Sequence, residues 1–377
     1  MSIHGIDHIE LFVGDAQQSA FYYSAAFGFT VSGQGGPETG LVDQRSLLMT
    51  QAGINMVLTS GLTPEHPATE YVLRHGDGVA VIAMEVDDAA ETFRELVSRG
   101  ATALSEPKTY VDDDNTVVVA EVSGFGDVIH RLVERRGANT TFLPASILPT
   151  HTELTVAEPL VHLIDHFAVC VPGGQLTETV EFFRKVYEFD EIFSEHIDVA
   201  GQGMNSVVVQ SKSGLVTYTI IEPDTTLRPG QIDDFLDWHR GAGVQHVAMI
   251  TDDIVSTVDR FAHRGVRFLK TPASYYETLE SRVGPVDAPI EELGKLGILV
   301  DLDHWGQLLQ IFAESTHVRR TFFMEIIERR GAKLFGSGNI KALYEAKERE
   351  MVHAPTPLVV APDVELTLVE VDTLETA

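Results

Sequence analysis

Two stretches of the chain alternate apolar and polar positions in the same way. Residues 5–13 read GIDHIELFV and residues 163–171 read LIDHFAVCV. Each predicts a short strand with one buried face. Each is followed by an amphipathic segment carrying aromatic residues, Phe21-Tyr22-Tyr23 in one case and Phe182-Phe183 in the other. Further on, residues 78–100 (GVAVIAMEVDDAAETFRELVSRG) and 243–265 (GVQHVAMITDDIVSTVDRFAHRG) align without a gap at an offset of 165 (243 − 78). Both predict a strand, a helix opened by Asp-Asp and a stop at Arg-Gly. The aspartates suit the positive end of a helix dipole, and glycine suits the C-terminal cap. Finally, Val133-Glu134-Arg135-Arg136-Gly137 matches Ile327-Glu328-Arg329-Arg330-Gly331 at an offset of 194 (331 − 137), so the second half carries an insertion before that point.

The matches occur in one order in both halves, which reads as an internal duplication. The expected organisation is a first domain over 1–137, a linker over 138–160 holding Pro144, Pro149 and Pro159, a second domain over 161–352, and a tail over 353–377. That acidic, proline-containing tail is expected to be either disordered or an added edge strand. Each half reads as strand, helix and strands, twice over. The fold class that follows is α+β, with strongly curved mixed or antiparallel sheets and helices packed outside.

Composition narrows the partners. Of 377 residues 44% are hydrophobic and 22% charged, ordinary for a globular chain, but the net charge is −29. A field of that sign repels phosphate backbones and anionic lipid surfaces, so neither nucleic acid nor membrane is an expected partner. No apolar run approaches the ~18 residues of a membrane span. The first residues lack the basic-then-apolar order of a signal peptide, so a cytoplasmic location is expected. Cys170 is the single cysteine, which leaves no intrachain disulfide, and its apolar neighbours make it a core residue.

Comparing the halves separates chemistry from packing. At the aligned strand positions the first half has His8, Val81 and Arg131; the second has His166, His246 and Glu325. Two imidazoles and a carboxylate that leave coordination positions open are the ligand set of non-haem iron(II) oxygenases. The spacings of 80 (246 − 166) and 79 (325 − 246) residues suit one ligand from each of three strands. A single histidine on an apolar strand is ordinarily a hydrogen-bonded core residue. Burying a lone carboxylate beside Phe323 and Met324, however, is costly unless a cation compensates it. His196, His239, His263 and His304 lie in polar stretches and are expected to be solvated. Phe335-Gly336-Ser337-Gly338-Asn339 follows no strand and lacks a third glycine, so it does not read as a phosphate loop.

Four further motifs extend the picture: Gly243-Val244-Gln245-His246, Gln307-Leu308-Leu309-Gln310-Ile311-Phe312, Glu325-Ile326-Ile327-Glu328-Arg329 and Gly338-Asn339-Ile340-Lys341-Ala342-Leu343. With them the chain resembles the 4-hydroxyphenylpyruvate dioxygenase and 4-hydroxymandelate synthase family, of the vicinal-oxygen-chelate fold, over about residues 5–350. The resemblance implies paired βαβββ modules in each half, an Fe(II) ion held by His166, His246 and Glu325, and a homodimer or homotetramer. It implies 4-hydroxyphenylpyruvate and O2 as small-molecule substrates, the α-keto acid chelating the metal. It also implies substrate-pocket roles for Ser206, Thr219, Ile221, Gln231, Gln310, Phe312, Phe335, Asn339 and Ile340, and a C-terminal lid helix beginning near Asn339.

Within the family the chain departs from the dioxygenase branch where the substrate is aimed. Dioxygenases typically carry Pro-Ile-Asn-Glu-Pro; here the run is Thr219-Ile220-Ile221-Glu222-Pro223, as in the synthases. They also carry Gly-Asn-Phe-Lys-Ala, where this chain has Ile340. Met204-Asn205-Ser206 is synthase-like as well. The expected product is therefore 4-hydroxymandelate, which by resemblance belongs to hydroxyphenylglycine supply for peptide antibiotics. Homogentisate is the runner-up. A non-catalytic binding protein of the same fold is the competing class, and the intact His-His-Glu set argues against it.

Overall fold

The structure, a computed structural model, describes residues 2–138, 140–150, 158–199, 201–336, 338 and 339. Ile340, the expected lid helix beyond Asn339 and the acidic tail lie outside the described residues.

Alternating apolar patterns become strands, and the Asp-Asp and Gly punctuation sets the helices between them. The first half runs β1 (Ile3–Phe12), α1 (Ala16–Phe27), β2 (Thr30–Gly35), β3 (Gln44–Gln51), β4 (Ile54–Gly61), α2 (Pro67–His75), β5 (Gly78–Val86), α3 (Ala89–Ser98), β6 (Ala103–Val111), β7 (Asn115–Ser123) and β8 (Ile129–Gly137). A two-residue strand, β9 (Leu148–Pro149), follows within the expected linker and pairs with β2. The second half runs β10 (Leu163–Cys170), α4 (Leu176–Phe182), β11 (Asp190–Val199), β12 (Gln202–Gln210), β13 (Thr217–Pro223), α5 (Gln231–His239), β14 (Gly243–Ile250) and α6 (Ile254–His263). After three short helices, α7 (Ala273–Tyr276), α8 (Leu279–Val283) and α9 (Ile290–Leu296), come β15 (Leu299–Leu302), β16 (Gln307–Phe312) and β17 (Phe323–Arg330). The short helices are the insertion that moves the repeat offset from 165 to 194.

The helix starts behave as their sequences dictate. Asp88 accepts from Glu91 N and Asp253 from Ser256 N, each satisfying a backbone donor that the first turn leaves free. Both helices end two residues before a glycine in the left-handed region, Gly100 at φ 113° and Gly265 at φ 94°.

The sheets repeat the duplication. The first is ordered β6-β7-β8-β5-β1-β4-β3-β2-β9 and the second β11-β12-β13-β10-β14-β17-β16-β15, so apart from β9 one is the other read in reverse. In each sheet two strand pairs are parallel, β1/β4 and β5/β8 in the first, β10/β13 and β14/β17 in the second. This is the mixed α+β arrangement expected. Register carries the homology down to single residues: Glu10 pairs with Val81 and Ala83 with Arg131, while Ala168 pairs with His246 and Ala248 with Glu325. The opposite sheet faces carry an apolar core shared by both halves, where Phe27 meets Phe261 at 5.1 Å between ring centroids. Each fully buried aliphatic or aromatic side chain there contributes about 1.5–3 kcal/mol. Cys170 is fully buried, as expected.

One expectation fails. His239 is buried, stacked on Phe235 at 4.9 Å and on His75 at 4.3 Å. The polar sequence around it gave no sign that α2 of the other half would cover it. His196, His263 and His304 are exposed.

Candidate metal centre

His166, His246 and Glu325 stand on β10, β14 and β17, three neighbouring strands of the second sheet. Period-two alternation turns all three side chains to the concave face. His166 Nε2 lies 3.3 Å and His246 Nε2 3.2 Å from the same oxygen, Glu325 Oε2. All three ligand atoms fall within 4.8 Å of one another, and all three residues are buried. Among the described residues no other group of His, Cys, Asp and Glu converges this way.

The protonation of the cluster shows which charge it calls for. Burial pushes the Glu325 carboxyl up, but the hydrogen bonds and charges of the two histidines outweigh it and bring its pKa to about 2. Burial lowers His166, yet Asp165 and Glu325 together raise it to about 9. For His246 burial prevails and its pKa is lowered. A buried anion here needs a cation, and without a metal a proton on His166 supplies it. A divalent ion fits the donor set of two imidazole nitrogens and a carboxylate oxygen in that proton's place.

A supporting pair fixes the first histidine. His166 Nδ1 is 2.8 Å from Asp165 Oδ2. Arg329 grips the same carboxylate with two donors, Nε and Nη2, each at 2.7 Å, and donates through Nη1 to the carbonyls of Ala332 and Leu334. The aspartate thereby orients the ring so that Nε2 faces the site, an arrangement that raises ligand basicity. Sequence reasoning did not assign Asp165 or Arg329. The signal was present, since Asp7 and Arg135 make the same bidentate pair beneath His8. Asp165→Asn is expected to lower metal affinity by about 10–100-fold with the fold retained. Metal titration against a competing chelator measures it, and an unchanged affinity would show that Asp165 only packs.

The other candidate residues divide by place. Ser206 pairs with Ile221 and Ala168 with Thr219, which sets those side chains on the face that carries His246. On the other flank Phe312 pairs with Glu325 and Gln310 with Ile327. Phe335 meets His166 edge-on at 5.0 Å, and Phe312 meets His246 at 5.7 Å. Phe323, which sequence reasoning passed over, stacks on His246 at 5.1 Å. Gly336 sits at φ +82°, and a Cβ there would lie 2.2 Å from Gln310 Oε1, so only glycine lets the chain pass so near the amide. Asn339 is buried and accepts a hydrogen bond from the Tyr275 hydroxyl at 2.6 Å. Gln231 is exposed at the start of α5, beside Met204 and Ile197 in a separate cleft. Gln310 Oε1, Thr219 Oγ1 and Asn339 Nδ2 are buried with no hydrogen-bond partner among the described residues. Such atoms are costly unless a polar group meets them.

In the first half Arg131 occupies the register position of Glu325. Its guanidinium lies 2.7 Å from Glu10, 2.8 Å from Glu121 and 3.1 Å from His8 Nε2. A fixed organic cation stands where the second half gathers His166, His246 and Glu325. Among the described residues no helix is long and apolar enough to cross a membrane.

Comparison with known proteins agrees with this geometry. The model of the Glyoxalase/Bleomycin resistance protein/Dioxygenase superfamily matches twice, over residues 5–126 and 163–285, once in each half. The chain is 36% identical to the 4-hydroxyphenylpyruvate dioxygenase of Dictyostelium discoideum, covering 92% of this chain and 98% of that one. It is 34% identical to the enzyme of the same name from Aspergillus fumigatus over 93% of both chains. A mutant of 4-hydroxymandelate synthase from Streptomyces coelicolor superposes with a TM-score of 0.84 at 40% identity, covering 93% of this chain and all of that one. A duplicated sheet, a His-His-Glu cluster drawn from three strands and full-length likeness to both groups make the chain an enzyme of the glyoxalase-like vicinal-oxygen-chelate superfamily, in the family that holds the 4-hydroxyphenylpyruvate dioxygenases and 4-hydroxymandelate synthases.

Proposed function

We propose that the protein is a 4-hydroxymandelate synthase. It converts 4-hydroxyphenylpyruvate and O2 to 4-hydroxymandelate and CO2, with Fe(II) held by His166, His246 and Glu325. The observation that carries the metal assignment is the convergence of three buried ligand atoms within 4.8 Å. Bound there, iron(II) supplies open coordination positions for an α-keto acid and for O2, and the electrons that activate O2.

The chain's own residues bind and aim. Gln310 Oε1, Thr219 Oγ1 and Asn339 Nδ2 offer an acceptor, a hydroxyl and a donor to the polar groups of the substrate. Phe312 and Phe335 flank the ligand histidines and exclude water beside the aromatic ring. Ile221 is buried and pairs with Ser206 on the concave face, where the dioxygenase branch has asparagine. A hydrocarbon there gives the ring hydroxyl no amide to hold, and the ring can tilt to present its benzylic carbon. This difference and the 40% identity to a synthase support mandelate over homogentisate. Oxygen uptake by the iron-loaded protein, with one CO2 released per O2, tests the reading; absence of uptake with 4-hydroxyphenylpyruvate contradicts it.

Metal binding should depend on pH in a stated direction. His166 holds a proton below about pH 9 when no metal is present, and it ligates only when neutral. Near neutral pH each ion bound should release about one proton. Affinity should therefore fall as pH drops below about 9. Calorimetry in two buffers of different ionisation enthalpy counts the protons, and a count of zero contradicts the assignment.

A further inference from the structure

The first half holds a cavity at the register-equivalent of the candidate metal centre. Ser46 pairs with Thr59 as Ser206 pairs with Ile221, and Glu121 pairs with Arg131 as Phe312 pairs with Glu325. The cavity measures about 190 Å³. Part of its lining is apolar, formed by Val57, Val117, Val119, Val133, Tyr110 and Phe142, and the rest is polar or charged. An apolar cavity of roughly 150 Å³ takes one benzene ring.

Its charges are arranged for more than a hydrocarbon. Arg131 donates to both Glu10 and Glu121, so one guanidinium faces two carboxylates and one negative charge is left over. Glu10 is buried and also accepts from Thr59. Glu121 uses only Oε1, and its Oε2 has no partner among the described residues. The Asp7–Arg135 pair beneath is internally neutral. Lys108 lines the same cavity from β6, opposite Val119 and two residues along β7 from Glu121. Diagonal neighbours of this kind lie roughly 7–8 Å apart. Lys108 is exposed and makes no ion pair among the described residues. The mouth therefore presents an anion and a cation that form no ion pair with each other among the described residues, above a slot of one-ring size.

We propose that this cavity is a second, non-catalytic site that takes a zwitterionic α-amino acid with a single aromatic ring, its ammonium on Glu121, its carboxylate on Lys108 and its ring between the valines and Phe142. A carboxylic acid alone would leave the surplus charge of Glu121 unmet, and an amine alone would leave Lys108 unmet. A divalent metal is excluded from the position that Arg131 fills. The proposal does not depend on the reaction assigned to the second half.

Calorimetric titration of the iron-loaded protein with L-phenylalanine tests it, with 2-phenylethylamine and 3-phenylpropionate as single-charge analogues. The expected result is one site per chain, with L-phenylalanine bound at least about tenfold tighter than either analogue, a step of one decade in Kd. Lys108→Ala should weaken it by a similar factor, and Val119→Phe, which fills the slot, should abolish it. If Val119→Phe does not fold, Lys108→Ala on the exposed rim decides. Glu325→Ala should leave it intact, which places the site in the first half. No saturable binding, equal affinity for 3-phenylpropionate, indifference to Lys108→Ala, or loss in Glu325→Ala would each overturn the proposal.

Discussion

Glu325→Ala is expected to lose the metal and to lower turnover by more than about 100-fold, since even partners outside the ligand set are worth about 10–100-fold. Glu325 Oε2 is the atom on which both histidines converge, at 3.3 and 3.2 Å, so its loss leaves two nitrogens and no anion. The variant should nevertheless fold. Glu325 and Asp165 together hold His166 in its charged form, and removing one lets the imidazole go neutral rather than remain as an unpaired buried cation. The remaining cost is a small cavity. A second readout separates ligation from packing. Iron that binds only the folded state adds about 2.7 kcal/mol at 100 times its Kd, so wild type should melt higher when loaded and Glu325→Ala should not. Wild-type activity in a Glu325→Ala protein free of metal would sink the ligand assignment.

The second large effect concerns product. Ile221→Asn combined with Ile340→Phe is expected to divert part of the flux from 4-hydroxymandelate to homogentisate or another ring-oxidised product. Ile221 is buried on the concave face, so an asparagine there would bring an amide to the substrate side of β13. Phenylalanine at 340, a position outside the described residues, restores the aromatic residue typical of the dioxygenase branch and can stack on the substrate ring. The change needed is small, because about 1.4 kcal/mol between competing barriers shifts a product ratio tenfold. Total turnover should fall in both single variants, and their effects need not add because both touch one substrate. If wild type makes mandelate and the double variant leaves the ratio unchanged, the aim is set by other residues.

The duplication was legible because strand register preserves it: the offsets of 165 and 194 reappear as Ala83 facing Arg131 and Ala248 facing Glu325. Contrasting the halves therefore found residues that differ, and His166, His246 and Glu325 do come together. The same contrast hid what the halves share. Asp165 and Arg329 orient His166, yet Asp7 and Arg135 repeat them, so they looked like packing. Tertiary cover was invisible for a different reason. Beside Phe235 on its own helix, His239 is covered by His75 of α2, more than a hundred residues away, and no local pattern encodes that contact. Nor did sequence show that Arg131 would be held between Glu10 and Glu121, because Glu10 reads as the polar position of an ordinary strand.

Chromatographic identification of the product formed from 4-hydroxyphenylpyruvate and O2 by the iron-loaded protein bears most directly on the whole account. Ile221 in place of asparagine, on the face that carries the three ligands, predicts 4-hydroxymandelate as the main product, with one CO2 released for each. Homogentisate as the main product would contradict the synthase assignment and return the chain to the dioxygenase branch.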